Sequence, residues 1–96
     1  SMDDYAVAFL ETQIKEPLAA KDNFLVQDLV TDFYLATGVR QILVMDEKKK
    51  IVANHSSGSI PLSSINFSLD SVSSTELHKG DMDYLIKPVY NHNLLV

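Results

Sequence analysis

Gly38-Val39-Arg40-Gln41-Ile42-Leu43-Val44-Met45-Asp46-Glu47-Lys48-Lys49-Lys50-Ile51-Val52-Ala53-Asn54-His55 is the stretch that decides the fold. Val39 to Met45 is apolar at almost every position, with Val39, Leu43 and Met45 on one face and Ile42 and Val44 on the other. That pattern predicts a central strand covered on both sides. Asp46 to Lys49 is a polar turn, and from Lys50 to His55 the residues Ile51 and Ala53 alternate against Val52, as a second strand requires. The two strands predict an antiparallel hairpin, and the flanking segments must supply what covers it.

Upstream the pattern is helical. From Asp3 to about Glu16, Val7, Leu10, Ile14 and Leu18 recur at spacings of three and four and line one face, while Tyr5 and Phe9 form a second stripe about 200° away. One sheet covers only one such face, so the other needs a partner, and Tyr5 and Phe9 are assigned to a parallel homodimer contact. Pro17 lacks the helical N–H, which predicts a kink or stop near Glu16. Asp22 then caps a second helix, Asn23 to about Ala36, with Leu25, Leu29, Phe33 and Ala36 as its buried face and Gly38 as its C-terminal stop.

Downstream, residues 56–74 hold nine serines, Gly58 and Pro61, with only Ile65, Phe67 and Leu69 alternating. This predicts a long loop or irregular segment, and loops of that length in compact domains are usually functional or disordered. Thr75 to His78, the turn Lys79-Gly80-Asp81 and Met82 to Tyr90 predict another hairpin, with Pro88 at an edge or bulge. Asn91-His92-Asn93 is a further turn, after which Leu94 to Val96 begins a last strand. The expectation is one α+β domain spanning 1–96: a helical part over 3–36 packed on an antiparallel sheet of about five strands over 39–96. Ser1-Met2 reads as the remnant of a removed tag, so the natural chain is expected to run on past both ends.

Charge narrows the function. The net charge of −5 comes entirely from residues 1–38, which hold seven carboxylates against two lysines. The basic run Lys48-Lys49-Lys50 is too short for the phosphate-neutralising face of a nucleic-acid binder. The absence of cysteine excludes disulfides, thiol nucleophiles and thiolate metal sites. Ser57-Gly58-Ser59 lacks the context that exposes a catalytic serine, and Asp3-Asp4 and Asp81/Asp83 fall at termini and turns where acids are solvated. His55, His78 and His92 have no ligand spacing of a known metal motif, so no enzyme activity, metal or cofactor is expected.

Taken in order, the first helix, the break at Glu16-Pro17-Leu18, the acid-capped second helix, Gly38-Val39-Arg40-Gln41-Ile42-Leu43-Val44-Met45-Asp46 and Ile51-Val52-Ala53 carry a resemblance. The chain resembles the extracytoplasmic PAS-like (Cache, or PDC) sensor domains of bacterial histidine kinases, diguanylate cyclases and chemoreceptors. It departs from that pattern in a first turn without glycine and in a sequence that stops three residues past Asn93. The resemblance implies a periplasmic signal-input domain of an inner-membrane receptor, tethered by flanking spans. It also implies a small-molecule ligand between the sheet and residues 56–74, with Arg40, His55, Tyr84, Lys87 and Tyr90 as candidate contacts. Two other readings stay open: a cytosolic scaffold of the roadblock or longin type that holds a small GTPase, which calls for a helix within 56–74, and a module that works by dimerisation alone.

Overall fold

A computed structural model describes residues 4–57, 75–79, 82–91 and 94–96, with residues 4, 75–79 and 82–84 as backbone only. It is a small α+β domain. Helices α1 (Asp4–Ala19) and α2 (Asn23–Thr37) precede strands β1 (Gln41–Met45), β2 (Ile51–Ser56), β3 (Thr75–Lys79), β4 (Met82–Ile86), β5 (Tyr90–Asn91) and β6 (Leu94–Leu95). The strands pair antiparallel in sequence order, β1 with β2, β3 with β4 and β5 with β6.

Helix α1 runs through Pro17 to Ala19 instead of stopping at Glu16. Proline there costs one hydrogen bond, to the carbonyl of Gln13, an exposed residue that water can serve. The Pro17 ring is buried, and its own carbonyl accepts from Asp22 N–H at 2.9 Å while Leu18 O accepts from Lys21 N–H at 3.2 Å. These two bonds form a Schellman closure, whose left-handed residue is Lys21 at φ 62°. One residue on, Asp22 caps α2 as expected, its Oδ1 accepting from Leu25 N–H at 3.2 Å. Gly38 ends α2 in the left-handed conformation at φ 70°, also as expected, and donates to Tyr34 O.

The buried face of α2 is not the expected one. Val26 and Val30 are fully buried, Leu29 and Phe33 pack beside them, and Leu25 and Ala36 are exposed. The helix is turned by about 50° on the wheel, half a residue's rotation, because apolar side chains occupy so much of its circumference that the largest ones do not set its phase. α2 is also the middle layer: it packs on α1 on one side and on β1 and β2 on the other. The α1 face of Leu10, Ile14 and Leu18 is therefore buried mainly by α2, with the β5 segment alongside, and Val7 is only half-buried. Val44 and Ala53 complete the core, with Ile42, Val52, Val89 and Val96 packed against it.

β1 is not a central strand among the described residues, since β2 is its one partner there. The other side of β2 is met at Asn54 by a side chain. Gln27 Nε2 donates to Asn54 O at 3.0 Å and Gln27 Oε1 accepts from Asn54 N–H at 3.2 Å, the pair of bonds a neighbouring strand would make. The β1–β2 register also shifts between Val44 and Met45, leaving Val52 as an extra residue. The bulge breaks the expected alternation, so Val52 joins Ala53 on the core while Ile51 is exposed. The later hairpins fall close to where they were expected, Lys79 opposite Met82 and Asn91 opposite Leu94, with β4 ending at Ile86. The expected loop, apart from Ser56 and Ser57, lies outside the described residues, as do the turn residues 80, 81, 92 and 93.

Two substitutions test this description by chemical denaturation. Gln27→Ala removes both bonds to Asn54 and is expected to cost about 1–2 kcal/mol. Lys21→Gly relieves a left-handed non-glycine residue and is expected to stabilise by about 0.5–1 kcal/mol, the exposed ion pair it loses contributing little. A loss of stability on Lys21→Gly would refute the closure.

Candidate functional site

The five candidate ligand residues fall into separate groups. Arg40 and His55 both lie near the open end of the β1–β2 hairpin, where Ile42 stands opposite His55 and Gln41 opposite Ser56. Ser57 fastens this end, its N–H donating to Arg40 O at 3.0 Å. His55 shares the face of Ile42 and lies against Tyr34 of α2, ring centroids 4.1 Å apart at 52°. This aromatic contact joins the hairpin to α2, so the half-buried His55 has a packing role whatever else it does. The Arg40 side chain is exposed. On the opposite face of the same end, Gln41 Oε1 is buried with no hydrogen-bond partner among the described residues.

Lys87 and Tyr90 belong to the C-terminal segment. Lys87 Nζ lies 3.2 Å from Glu11 Oε1, tying that segment to the middle of α1, and Tyr90 in β5 is exposed at the rim. Val96 N–H donates to Val89 O at 3.0 Å and extends the β5–β6 pair, which brings two valines onto the core. Tyr84 stands opposite Leu77 in the β3–β4 ladder, and its side chain lies outside the described residues. So do His92, Asp81 and the side chains of His78 and Asp83. Among the described residues no three histidine or acidic side chains are grouped to hold a metal ion.

A cleft of about 320 Å³ lies elsewhere, at the closed end of the hairpin. Leu18 and Lys21 from the end of α1, Asn23 from the start of α2, and Asp46, Glu47, Lys48, Lys50, Ile51 and Val52 line it. None of the five candidates is among them. The turn beneath it supplies the missing glycine chemistry with a lysine: Lys49 takes φ 66°, donates to Asp46 O at 3.0 Å, and Asp46 N–H donates to Lys50 O at 2.9 Å. Asp46 Oδ1 accepts from the N–H groups of Lys48 and Lys50, both at 2.9 Å. The Lys50 N–H above all, then that of Lys48 and the charges of Lys21 and Lys50, hold the Asp46 carboxyl below its ordinary 3.8 against partial desolvation. Glu47 is lowered as well, chiefly by Lys21, whose Nζ lies 2.8 and 3.0 Å from its two carboxylate oxygens.

Sequence reasoning missed these cleft residues, and Gln27, Tyr34 and Gln41 with them. Asp46 at the head of a polar turn was the one visible signal, because aspartate there captures the N–H groups two and four residues on. On the opposite side of the molecule from the buried row of α1, Tyr5 is 90% exposed and Phe9 62%. No family model, curated protein or solved structure matches this chain.

The Asp46 turn gives a pH dependence of known sign. A carboxyl lowered on folding contributes stability above its unfolded value near 4, and that contribution is lost as pH falls through the lower folded value. The stability difference between the parent and Asp46→Asn is expected to hold steady from about pH 5 to 7 and to shrink below about pH 4. Urea unfolding across that range checks it, and a difference that grows in acid would refute the assignment.

Proposed function

We propose that the chain is the signal-input domain of a bacterial inner-membrane receptor, a periplasmic PAS-like module of the Cache type. In this reading the domain is built on one antiparallel sheet of about five strands, and a small molecule is held between it and residues 56–74. α1 pairs with a second copy through Tyr5 and Phe9, and membrane spans outside residues 1–96 tether both ends. The observation that carries the reading is the division of α1 into two opposed apolar faces, Leu10, Ile14 and Leu18 buried and Tyr5 and Phe9 exposed. A helix that serves its own core on one side and offers aromatics on the other is suited to pass a packing change between copies as a switch between discrete arrangements.

The C-terminal segment supports the same reading. Glu11–Lys87 and the packing of Val89 and Val96 on the core hold the C-terminal segment beside α1. A ligand that shifted either one would act on both. No helix among the described residues is long and apolar enough to cross a membrane, so the spans of this proposal belong to flanking sequence.

A thermal-shift screen with small carboxylates, amino acids and divalent cations tests the binding half. A ligand at a hundred times its dissociation constant adds about 2.7 kcal/mol of stability, and Arg40→Ala is expected to weaken the response. The tether is tested by the parent reading frame, where apolar runs of about 20 residues are expected on both sides. A reading frame without them overturns the receptor assignment, and a silent screen leaves the dimerisation-only module.

A further inference from the structure

The cleft at the closed end of the hairpin carries a charge opposite to that of the molecule. Lys21, Lys48 and Lys50 line it against two carboxylates, Asp46 and Glu47, an excess of one positive charge in a chain whose net charge is −5. Both carboxylates are already engaged. Asp46 Oδ1 accepts from the N–H groups of Lys48 and Lys50, and Lys21 holds both oxygens of Glu47. The ammonium groups of Lys48 and Lys50 enter no ion pair among the described residues, since the pairs there join Lys21 to Glu47 and Lys87 to Glu11. The turn thus satisfies its own aspartate with backbone N–H groups and leaves two cationic side chains of the cleft without a counter-charge. An apolar surface lies beside them: Ile51, which the bulge at Val52 turns out of the core, is 45% exposed and borders the same cleft. At about 320 Å³ the cleft stands at the lower end of small-molecule sites, about 300–1,000 Å³, which join apolar walls to a few placed polar groups.

We infer that this cleft is a binding site for a small monocarboxylate with a short branched apolar body, its carboxylate between Lys48 and Lys50 and its body on Ile51. The site lies at the other end of the hairpin from Arg40 and His55, and it does not rest on the receptor reading above. One carboxylate matches the single excess positive charge of the lining. A phosphate dianion exceeds that charge and has nothing to lay on Ile51, and a neutral molecule leaves both ammonium groups unused. Lysine suits the task, because a compact charge on a flexible stem closes on a carboxylate without the fixed fork that arginine imposes. Lys49, the third lysine of the run, takes the positive φ of the turn and does not line the cleft.

Amide chemical-shift titration of the full 96-residue chain at neutral pH, with isocaproate as the probe, tests this. The amides of Lys48, Ile51 and Val52 are expected to move and saturate, and isocaproamide, the neutral isostere, is expected to move none of them. Lys48→Gln and Lys50→Gln are each expected to weaken binding about fivefold, the worth of one ionic contact in water. Lys49→Asn removes the same charge from the same turn outside the cleft and is expected to change nothing. Ile51→Thr is expected to weaken isocaproate but not acetate. Amide spectra unchanged away from each substitution confirm that the variants fold. If no amide moves, or if Lys49→Asn weakens binding as much as Lys48→Gln, the cleft site falls. If isocaproamide or inorganic phosphate moves the same amides as readily, the assigned ligand class falls with it. If isocaproate instead moves Arg40 and His55, and Arg40→Ala abolishes the response, the cleft site falls while the ligand of the receptor reading stands. Saturation at the cleft that survives Arg40→Ala upholds the site whatever becomes of that reading.

Discussion

Everything in this domain depends on the burial of two valines. Val26 and Val30 stand one turn apart on α2 with no exposed surface, between a helix on one side and a hairpin on the other. A chain of 96 residues has room for a single core, and here that core is a row of aliphatic contacts threaded through one helix. Each fully buried valine contributes about 1.5–3 kcal/mol, a large share of the net stability open to so small a domain. α1 and β1–β2 scarcely touch except through α2, so its placement fixes both.

The turns on either side of this layer are built with lysine where glycine would be easier. Lys21 and Lys49 both adopt positive φ, one at the end of α1 and the other in the hairpin turn, and both turns border the same cleft. Each is compensated by hydrogen bonds: the Schellman pair for Lys21 and the Asp46 carboxylate for the turn that contains Lys49. Local strain has been accepted to keep cationic side chains at the rim of the acidic, helical half of the molecule.

Much of the fold was legible because its punctuation is chemical. Asp22 and Gly38 bracket α2 through donors and dihedral freedom that few other residues supply, and the polar turn at Asp46 separates two apolar runs. What was not legible depends on quantities a pattern does not encode. Pro17 reads as a stop unless the helix is known to end one turn later, where the lost bond falls on a solvated carbonyl. The phase of α2 is hidden because Phe24, Tyr34 and Leu35 extend the apolar arc of Leu25, Val26, Leu29, Val30, Phe33 and Ala36 over most of its circumference. The bulge at Val52 leaves no trace in an alternation of three residues. For the site, Tyr34 and Gln27 reach β2 through contacts 21 and 27 residues apart in sequence, which no local spacing announces.

The Gln27 amide has a consequence beyond the bonds it makes. A strand edge with free N–H and C=O groups is a template on which foreign chains can assemble, and small proteins usually blunt such edges with charge or proline. Among the described residues the template at Asn54 is occupied by a side chain projecting from a different element, so lifting α2 off the hairpin opens it. Resistance to ordered aggregation along this edge is thus linked to the integrity of the helix layer: damage to the core would unmask a sticky strand in the same event.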